Sequence, residues 1–373
     1  MGMASRASLG ERSSPSQSPP DPGPLQRDLS QLQGVFRDDE APPEPLVPVD
    51  ALLPGSVFVS PPADRSRPAR AARRSREAGL PEIGVTIDKY RIDALLGVGG
   101  FGAVYRATHL LLKIPVAIKL LRPSLLREHP GLAKLFFSEA RFGATINHPN
   151  VARVYDATWA GSVAYIVMEY VEGRPLSQVI TERGRLPLGA LLQIGVDVAR
   201  GLRAGLERGL IHRDIKPANI VLARTGETKI VDFGLARLNA VEAGQLGEGA
   251  RGGLVGTYGY MAPEQARDPE RVDFRADIYS LGVTLYEAAA GRPPFPTKDR
   301  ALCLRLHQSE PVPPLEDLVP GLPPPIARLI VAMLSKVASG RPASYDALLD
   351  HLCSAQHLLP GQDRPPSLGR PDP

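Results

Sequence analysis

The residues best suited to chemistry lie close together in the segment 212–219, which reads HRDIKPAN. A carboxylate such as Asp214 can accept a proton from a hydroxyl group, and an amide oxygen such as that of Asn219 can bind a metal ion. The ammonium group of Lys216 can neutralise a phosphoryl group as it moves. Because so many fixed residue types at fixed offsets rarely arise by chance, this segment predicts phosphoryl transfer.

A second carboxylate follows in the sequence Asp-Phe-Gly, which begins at Asp232. Two short apolar runs, 220–222 and 229–231, precede it and predict a hairpin. A carboxylate at the end of that hairpin can ligate Mg²⁺, a hard cation that prefers oxygen. Asn219 and Asp232 are therefore the candidate metal ligands.

The segment 97–104 reads GVGGFGAV and contains closely spaced glycines. Glycines allow a tight turn to approach an anionic group, with backbone N–H groups directed at phosphate oxygens. A dinucleotide-binding fold uses glycines in a similar way, but there a helix follows them. Here the strand-like run 103–107 follows, which favours a hairpin that covers a nucleotide.

Lys119 ends the apolar run 116–119, so its ammonium group is expected to be half-buried and to need a partner. Glu139, on the helix that follows, is the candidate partner, and the pair would hold the ammonium group against nucleotide phosphates. Taken alone, each residue would be read as a solvated side chain.

The elements that must position these residues follow from hydrophobic periodicity. We predict strands at 90–96, 103–109, 116–121, 151–155 and 164–169, and helices at 131–146, 190–208, 277–290 and 326–336. Strands that come first in the chain, with most of the helices after them, predict an α+β fold in two lobes.

The first 83 residues differ from the rest and are expected to be a disordered region. Residues 1–80 hold 13 Pro and 11 Ser, and this composition cannot offset the entropy of ordering by burial. An acidic stretch at 38–50 precedes a basic stretch at 65–76. The region is either a solvated linker or a docking or autoinhibitory arm for a regulatory protein partner. Residues 356–373 are expected to form a Pro-rich tail.

The composition excludes several classes of protein. A net charge of +4 is too small to indicate nucleic-acid binding, and two cysteines exclude a disulfide framework. No apolar run is long enough for a membrane span, and the first thirty residues lack the apolar core of a secretory signal. We therefore expect a cytoplasmic protein.

With these motifs in order, residues 84–355 resemble the eukaryotic-like (Hanks-type) serine/threonine protein kinases, in particular bacterial ones. Further motifs that carry the resemblance are GTYGYMAPE at 256–264, Asp277 and Arg341. The resemblance implies the bilobal protein kinase fold, with a small β-rich N-lobe (84–168) containing one main helix and a larger helical C-lobe (173–355). It also implies ATP and Mg²⁺ as cofactors.

The resemblance assigns a role to each matching residue. Asp214 would be the catalytic base, Lys216 would steady the γ-phosphate, Lys119 would pair with Glu139 and contact the α- and β-phosphates, and Asn219 and Asp232 would hold Mg²⁺. Asp277 would brace the catalytic loop, and Glu264 would form a buried ion pair with Arg341. The residues implied to bind the nucleotide are Leu96, Gly97, Val98, Gly99, Gly100, Phe101, Gly102, Ala103, Val104, Ala117, Lys119, Glu169, Val171 and Val221.

The implied function is transfer of the γ-phosphoryl group of ATP to Ser or Thr hydroxyls of proteins, in a signalling role. Lys216, two residues after Asp214, is typical of serine/threonine rather than tyrosine kinases. An ATP-binding pseudokinase scaffold is the alternative, but it would be expected to lack Lys119, Asp214 or Asp232. A kinase with a small-molecule acceptor is a further alternative, against which the GTYGYMAPE segment argues because it resembles a peptide-docking element.

One departure from the family concerns activation. No Ser, Thr or Tyr lies between Gly234 and Thr257, although Arg213 usually accompanies a phosphate in this loop. We therefore hypothesise that activity does not depend on phosphorylation of the loop, with Glu242 or Glu248 as the candidate source of a standing negative charge near Arg213.

Overall fold

The computed structural model describes residues 80–129, 131–233, 258–268 and 271–359. The strands, in chain order, are β1 (Thr86–Ile87), β2 (Tyr90–Val98), β3 (Gly102–His109), β4 (Pro115–Leu121), β5 (Val154–Ala160), β6 (Val163–Glu169), β7 (Gly173–Pro175), β8 (Ile220–Ala223) and β9 (Thr228–Ile230). The helices are α1 (Pro123–Glu128), α2 (Gly131–Gly143), α3 (Leu176–Arg183), α4 (Leu188–Leu206), α5 (Pro263–Arg267), α6 (Arg275–Ala290), α7 (Arg300–Ser309), α8 (Pro324–Met333) and α9 (Tyr345–His357). None of the helices in these ranges has the length and apolar character to cross a bilayer.

The N-terminal part is a six-stranded antiparallel sheet in the order β1-β2-β3-β4-β6-β5. Helix α2 packs against it through buried residues spaced three to four apart, among them Leu132, Phe136 and Ala140. This spacing puts one apolar stripe of the helix on the sheet. Leu80 is buried in the core of the sheet, so the packed fold includes residues before the expected boundary at 84.

The C-terminal part is helical and is organised around α6. Of the residues in α6, only Arg275 and Glu287 are not buried, which is typical of a helix at the centre of a fold. Helices α4 and α8 pack on α6, and α9 packs on α4. In the small sheet β7-β8-β9, the segment 212–219 precedes β8 and residues 232–233 follow β9.

The structure confirms the α+β, two-lobed arrangement but moves some elements. The predicted strand at 151–155 is wrong: Val151 forms only an isolated bridge with Ile230, and the strand runs from Val154 to Ala160. Pro149 and Asn150 form a turn beforehand, so the apolar run begins in a loop that packs on β9. The predicted helix at 131–146 ends at Gly143, and the short helix α1 has too little periodicity to be predicted.

Candidate active site

The segment 212–219 forms a loop that ends in a 3₁₀ turn at Pro217–Asn219 and brings three predicted residues together. Lys216 Nζ donates to Asp214 Oδ2 at 2.7 Å. Asn219 Nδ2 donates to the Asp214 carbonyl oxygen at 2.8 Å and to Asp214 Oδ2 at 3.1 Å. The two bonds to the Asp214 carboxylate both fall on Oδ2, and among the described residues the second carboxylate oxygen accepts none.

The backbone of this loop is strained at Arg213, whose φ of +62° lies in the left-handed region. Three hydrogen bonds hold it there. Asp277 Oδ2 accepts the N–H of His212 at 2.7 Å, and Asp277 Oδ1 accepts the N–H of Arg213 at 2.6 Å. The amide of Gln265 donates to the Arg213 carbonyl at 2.9 Å. The expected bracing role of Asp277 is confirmed, whereas Gln265 was not predicted.

The side chain of His212 is fully buried below the loop, and burial lowers its pKa to about 4. The neutral ring lies edge-on against Phe233, with ring centroids 4.9 Å apart. This contact links the loop at 212–219 to the segment that carries Asp232. The buried ring of His212 therefore ties the loop of Asp214 to the residue that follows Asp232.

Lys119 and Asp232 form an ion pair across the site, with 3.1 Å between Lys119 Nζ and Asp232 Oδ2. The predicted pairing of Lys119 with Glu139 is therefore wrong for this structure: within the described residues, the ion pair of Lys119 is with Asp232. The backbone of Asp232 is left-handed, with a φ of +62°. Glu139 is buried on α2, 2% exposed.

The glycine-rich segment forms the hairpin between β2 and β3, as expected. Gly99 N–H donates to the Gly102 carbonyl at 2.8 Å and closes the turn. A Cβ atom at Gly102 would lie 1.7 Å from the carbonyl oxygen of Leu120, so only glycine fits there. At Gly97 and Gly99 a Cβ atom would meet nothing within 4 Å, which leaves open space along the hairpin for a ligand.

The remaining nucleotide-binding candidates lie on β2, β3, β4, β6 and β8, in the turn between β2 and β3, or just after β6. Ala117 is buried and pairs with Met168 across β4 and β6. Leu96 is half exposed on β2, and Val221 lies on β8 in the helical lobe. Val98 ends β2 and Ala103 and Val104 lie on β3, with Gly100 and Phe101 in the turn between the two strands and Val171 after β6.

A link between the two sheets was not predicted. The carboxylate of Glu169, at the end of β6, pairs with Lys229 Nζ on β9 at 2.8 Å. The N–H of Glu169 donates to the Arg153 carbonyl at 2.8 Å. The pair joins the six-stranded sheet to the hairpin before Asp232, and no motif in the sequence signals it because the two residues are distant along the chain.

Residues 258–264, the described part of the GTYGYMAPE motif, are anchored to α6 and to Arg341 in the loop before α9. Tyr260 donates its hydroxyl hydrogen to Glu287 Oε2 at 2.5 Å, and Ser280 donates to the Tyr260 carbonyl at 2.7 Å. Glu264 and Arg341 form the expected buried ion pair, which is confirmed at 2.6 Å and 2.8 Å. Gly234, Glu242, Glu248 and Thr257 lie outside the described residues.

The donor set fits Mg²⁺ held together with phosphate oxygens. No cluster of three or more His, Cys, Asp or Glu residues that could hold a metal lies in the ranges that the structure describes. Mg²⁺ usually takes one or two carboxylates and completes its shell with water and substrate phosphates. A site with Asp232 and the amide oxygen of Asn219, next to the open glycine hairpin, has this composition.

Comparison with known proteins agrees with this geometry. Residues 90–353 match the protein kinase domain family. Serine/threonine-protein kinase PknA of Mycobacterium tuberculosis is 38% identical over 303 residues, which cover 78% of this chain and 68% of PknA. PknB of Mycobacterium leprae is 39% identical over 232 residues, which cover 61% of this chain and 36% of PknB.

Among solved structures, the PknI kinase domain of M. tuberculosis superposes with a TM-score of 0.58 and 28% sequence identity. The match covers 74% of this chain and all of the PknI domain (100%). The curled sheet of the N-lobe and the helical C-lobe are thus shared with a kinase domain of known structure. The chain belongs to the protein kinase domain family.

Proposed function

We propose that the chain is an active serine/threonine protein kinase that transfers the γ-phosphoryl group of ATP to protein hydroxyls with the help of Mg²⁺. The observation that carries the proposal is the convergence of Asp214, Lys216 and Asn219 in one loop, which contacts the segment of the Lys119–Asp232 pair through His212 and Phe233. A protein that only binds nucleotide has no need for a carboxylate and an ammonium group 2.7 Å apart at the acceptor side.

Each side chain has a distinct task in this proposal. Asp214 orients the incoming hydroxyl group and accepts its proton through the carboxylate oxygen that makes no bond in the loop. Lys216 offsets negative charge near the acceptor, and Asn219 fixes the orientation of Asp214 through two hydrogen bonds. Lys119 would bind the α- and β-phosphates. Most of the rate acceleration then comes from positioning and electrostatics.

The metal site completes the arrangement. Asp232 and Asn219 would hold Mg²⁺, which supplies positive charge to the phosphates when bound. The glycine hairpin at 97–102 would cover the phosphates with backbone N–H groups. Because Lys119 holds Asp232 at 3.1 Å, we expect this ion pair to exchange for contacts with the nucleotide when it binds.

The test is phosphotransfer from labelled ATP to a protein substrate by the full chain and by Asp214→Asn. We expect a loss of at least about 10³-fold in kcat for Asp214→Asn, with ATP affinity retained. Asp350→Asn, an exposed site on α9, is the matched control and should behave as the parent. Nucleotide binding without transfer by the parent would indicate the pseudokinase alternative instead.

We also propose a cytoplasmic location, where ATP and Mg²⁺ are abundant, and a regulatory role for residues 1–79, which lie outside the described residues. Leu80 is buried and the Pro81 carbonyl accepts a hydrogen bond from Tyr105. A truncated protein that keeps the fold intact should therefore have residue 79 or an earlier one as its first residue. Higher activity after truncation would support an autoinhibitory arm, and unchanged activity would support a passive linker.

A further inference from the structure

Two glycines on one face of α4 contact the segment that carries Asp232. A Cβ atom at Gly201 would lie 2.9 Å from Ile230 Cδ1, and one at Gly205 would lie 2.1 Å from Phe233 Cζ. Ile230 precedes Asp232 by two residues and Phe233 follows it directly. Bare helix backbone therefore supports the chain on both sides of the predicted metal ligand.

The contact at Gly205 is the closer one. Three atoms of the Phe233 ring, Cζ, Cε1 and Cε2, lie between 2.1 Å and 3.1 Å from the position of a Cβ at 205. The ring is also in contact with His212, at 4.9 Å between centroids, and Phe233 is 7% exposed. A methyl group at 205 would thus require the ring to move, and the ring is attached to the residue after Asp232.

The carbonyl group of Phe233 is confined by a third glycine. A Cβ at Gly143, the last residue of α2, would lie 3.3 Å from the Phe233 carbonyl oxygen. Glycine is a poor residue for a helix interior, so its presence at Gly201 and Gly205 disfavours α4 unless close approach requires it. The short distances that an added Cβ atom would have at Gly201 and Gly205 show that such close approach occurs here.

We propose that Gly205 is a positioning residue for phosphoryl transfer, because it seats the Phe233 ring directly on the helix backbone and thereby fixes Asp232 opposite Lys119. The inference rests on the proposed role of Asp232 as a metal ligand. Gly201 supports the same segment through Ile230, but a Cβ there would lie 2.9 Å from Ile230 Cδ1 and 3.0 Å from the Asn150 carbonyl oxygen, against 2.1 Å from the Phe233 ring at Gly205. Gly205 is therefore the position where an added methyl group has the greater effect on the segment of Asp232.

The test compares Gly205→Ala with Gly195→Ala, the same substitution in the same helix. At Gly195 a Cβ would meet only the terminal methyl groups of Leu352 and Leu285, at 3.1 Å and 3.2 Å, which need shift by only a few tenths of an ångström. We expect Gly205→Ala to lower kcat by about 10- to 10²-fold and to raise the Mg²⁺ concentration for half-maximal rate. Gly195→Ala should leave both unchanged.

A second readout is ATP binding measured by calorimetry with and without Mg²⁺. In Gly205→Ala, binding without Mg²⁺ should match the parent, while the gain in affinity from Mg²⁺ should be smaller. Parent-like kcat and Mg²⁺ dependence in a folded Gly205→Ala protein would overturn the proposal, as would an equal loss in Gly195→Ala.

A rescue separates positioning from a general packing defect. Phe233→Leu removes the ring atoms that face Gly205, so Gly205→Ala should cost less in the F233L background than in the parent. Additive losses would contradict the proposal. If Gly205→Ala alone does not fold, recovery of folding in the double variant supports the contact, and failure to recover it overturns the proposal.

The variant Asp232→Asn keeps this inference distinct from the proposed function. If Asp232→Asn retains Mg²⁺-dependent activity, the proposed function is wrong at that residue. If Asp232→Asn loses activity while Gly205→Ala does not, only the role of Gly205 is wrong.

Discussion

Arg341 donates hydrogen bonds from both terminal guanidinium nitrogens to the two carboxylate oxygens of Glu264, at 2.6 Å and 2.8 Å. The side chain of Arg341 has no exposed surface, and its guanidinium also donates to the carbonyl groups of Arg275 and Ser335. The pair therefore joins the start of α5 to the start of α6 and the loop before α9. Its geometry is bidentate, the Arg341 side chain is fully buried and the Glu264 side chain is 24% exposed.

Removal of Arg341 should therefore be strongly destabilising. Arg341→Ala leaves Glu264 without its counter-ion and two carbonyl groups without a donor, and we expect a loss of about 3–5 kcal/mol in the free energy of unfolding. Denaturant unfolding measures it. Arg224→Ala, which breaks the exposed pair with Glu172, is the control and should cost no more than about 1 kcal/mol. Equal losses in the two variants would contradict the structural role of the buried pair.

The glycine hairpin offers a second prediction, on stability. Gly102→Ala places a methyl group against the Leu120 carbonyl oxygen, which is backbone and cannot rotate away, so β3 and β4 must separate. We expect a loss of about 1–3 kcal/mol in the free energy of unfolding, measured by denaturant titration. Gly99→Ala, where nothing lies within 4 Å, should change it by no more than about 0.5 kcal/mol. A larger effect at Gly99 than at Gly102 would contradict the close approach of the strands.

A third prediction concerns acid stability. Burial lowers the pKa of His307 from its ordinary value of 6.5 to about 4, and Lys336 adds to the effect. Between pH 6.5 and 4 the unfolded chain binds a proton at this residue that the folded chain does not, so stability falls as the pH falls through this range. His307→Gln should reduce the slope of the free energy of unfolding by about 1.4 kcal/mol per pH unit in this range.

The control for that experiment is the hydrogen-bond partner of His307. The hydroxyl oxygen of Tyr279 lies 2.9 Å from His307 Nδ1. Tyr279→Phe removes this bond but leaves the imidazole buried, so stability should fall by about 1 kcal/mol at every pH while the slope stays that of the parent. An unchanged slope in His307→Gln would show that this residue does not contribute to acid unfolding.

The sequence predicts those structural features that depend on local residue patterns. The loop at 212–219 and the hairpin before Asp232 carry residue types at fixed spacing, because their backbone geometry is shared wherever this chemistry occurs. Periodicity predicted strands β2, β3, β4 and β6 and helices α2, α4, α6 and α8 in their order, but it did not predict helices α3, α5, α7 and α9. Strand β5 was misplaced because the apolar residues from Val151 onward begin in a loop that packs on β9, and periodicity does not distinguish the two.

Partners that depend on packing were not predictable. The ion pair of Lys119 with Asp232, rather than Glu139, depends on the relative positions of β4 and the 232–233 segment. Gln265, which bonds to both the Arg213 carbonyl and the Ala262 N–H, is an ordinary helix residue in the sequence. Gly205 has meaning only once Phe233 is seen against it. In each case the two residues are far apart in the chain, and no local pattern joins them.

The last prediction concerns activation. The backbone of Arg213 is held in its left-handed conformation by Asp277 at 2.6 Å and by Gln265 at 2.9 Å, so the catalytic loop has supports that involve no phosphate group. Because no Ser, Thr or Tyr lies between Gly234 and Thr257, we expect the full chain, after treatment with a phosphatase, to retain its rate of phosphotransfer. Mass spectrometry of the treated protein verifies that no phosphate remains.

Two further variants test which groups compensate the charge of Arg213 and hold its backbone in place. Joint replacement Glu242→Gln and Glu248→Gln should lower the rate if either carboxylate supplies the standing charge, and an unchanged rate removes that hypothesis. Gln265→Glu keeps an acceptor for the Ala262 N–H but loses the donor to the Arg213 carbonyl, so it should lower kcat even in the phosphatase-treated protein. An essential phosphate mapped to Thr257 or Tyr258 would show instead that the loop requires modification, and that these hydrogen bonds do not suffice.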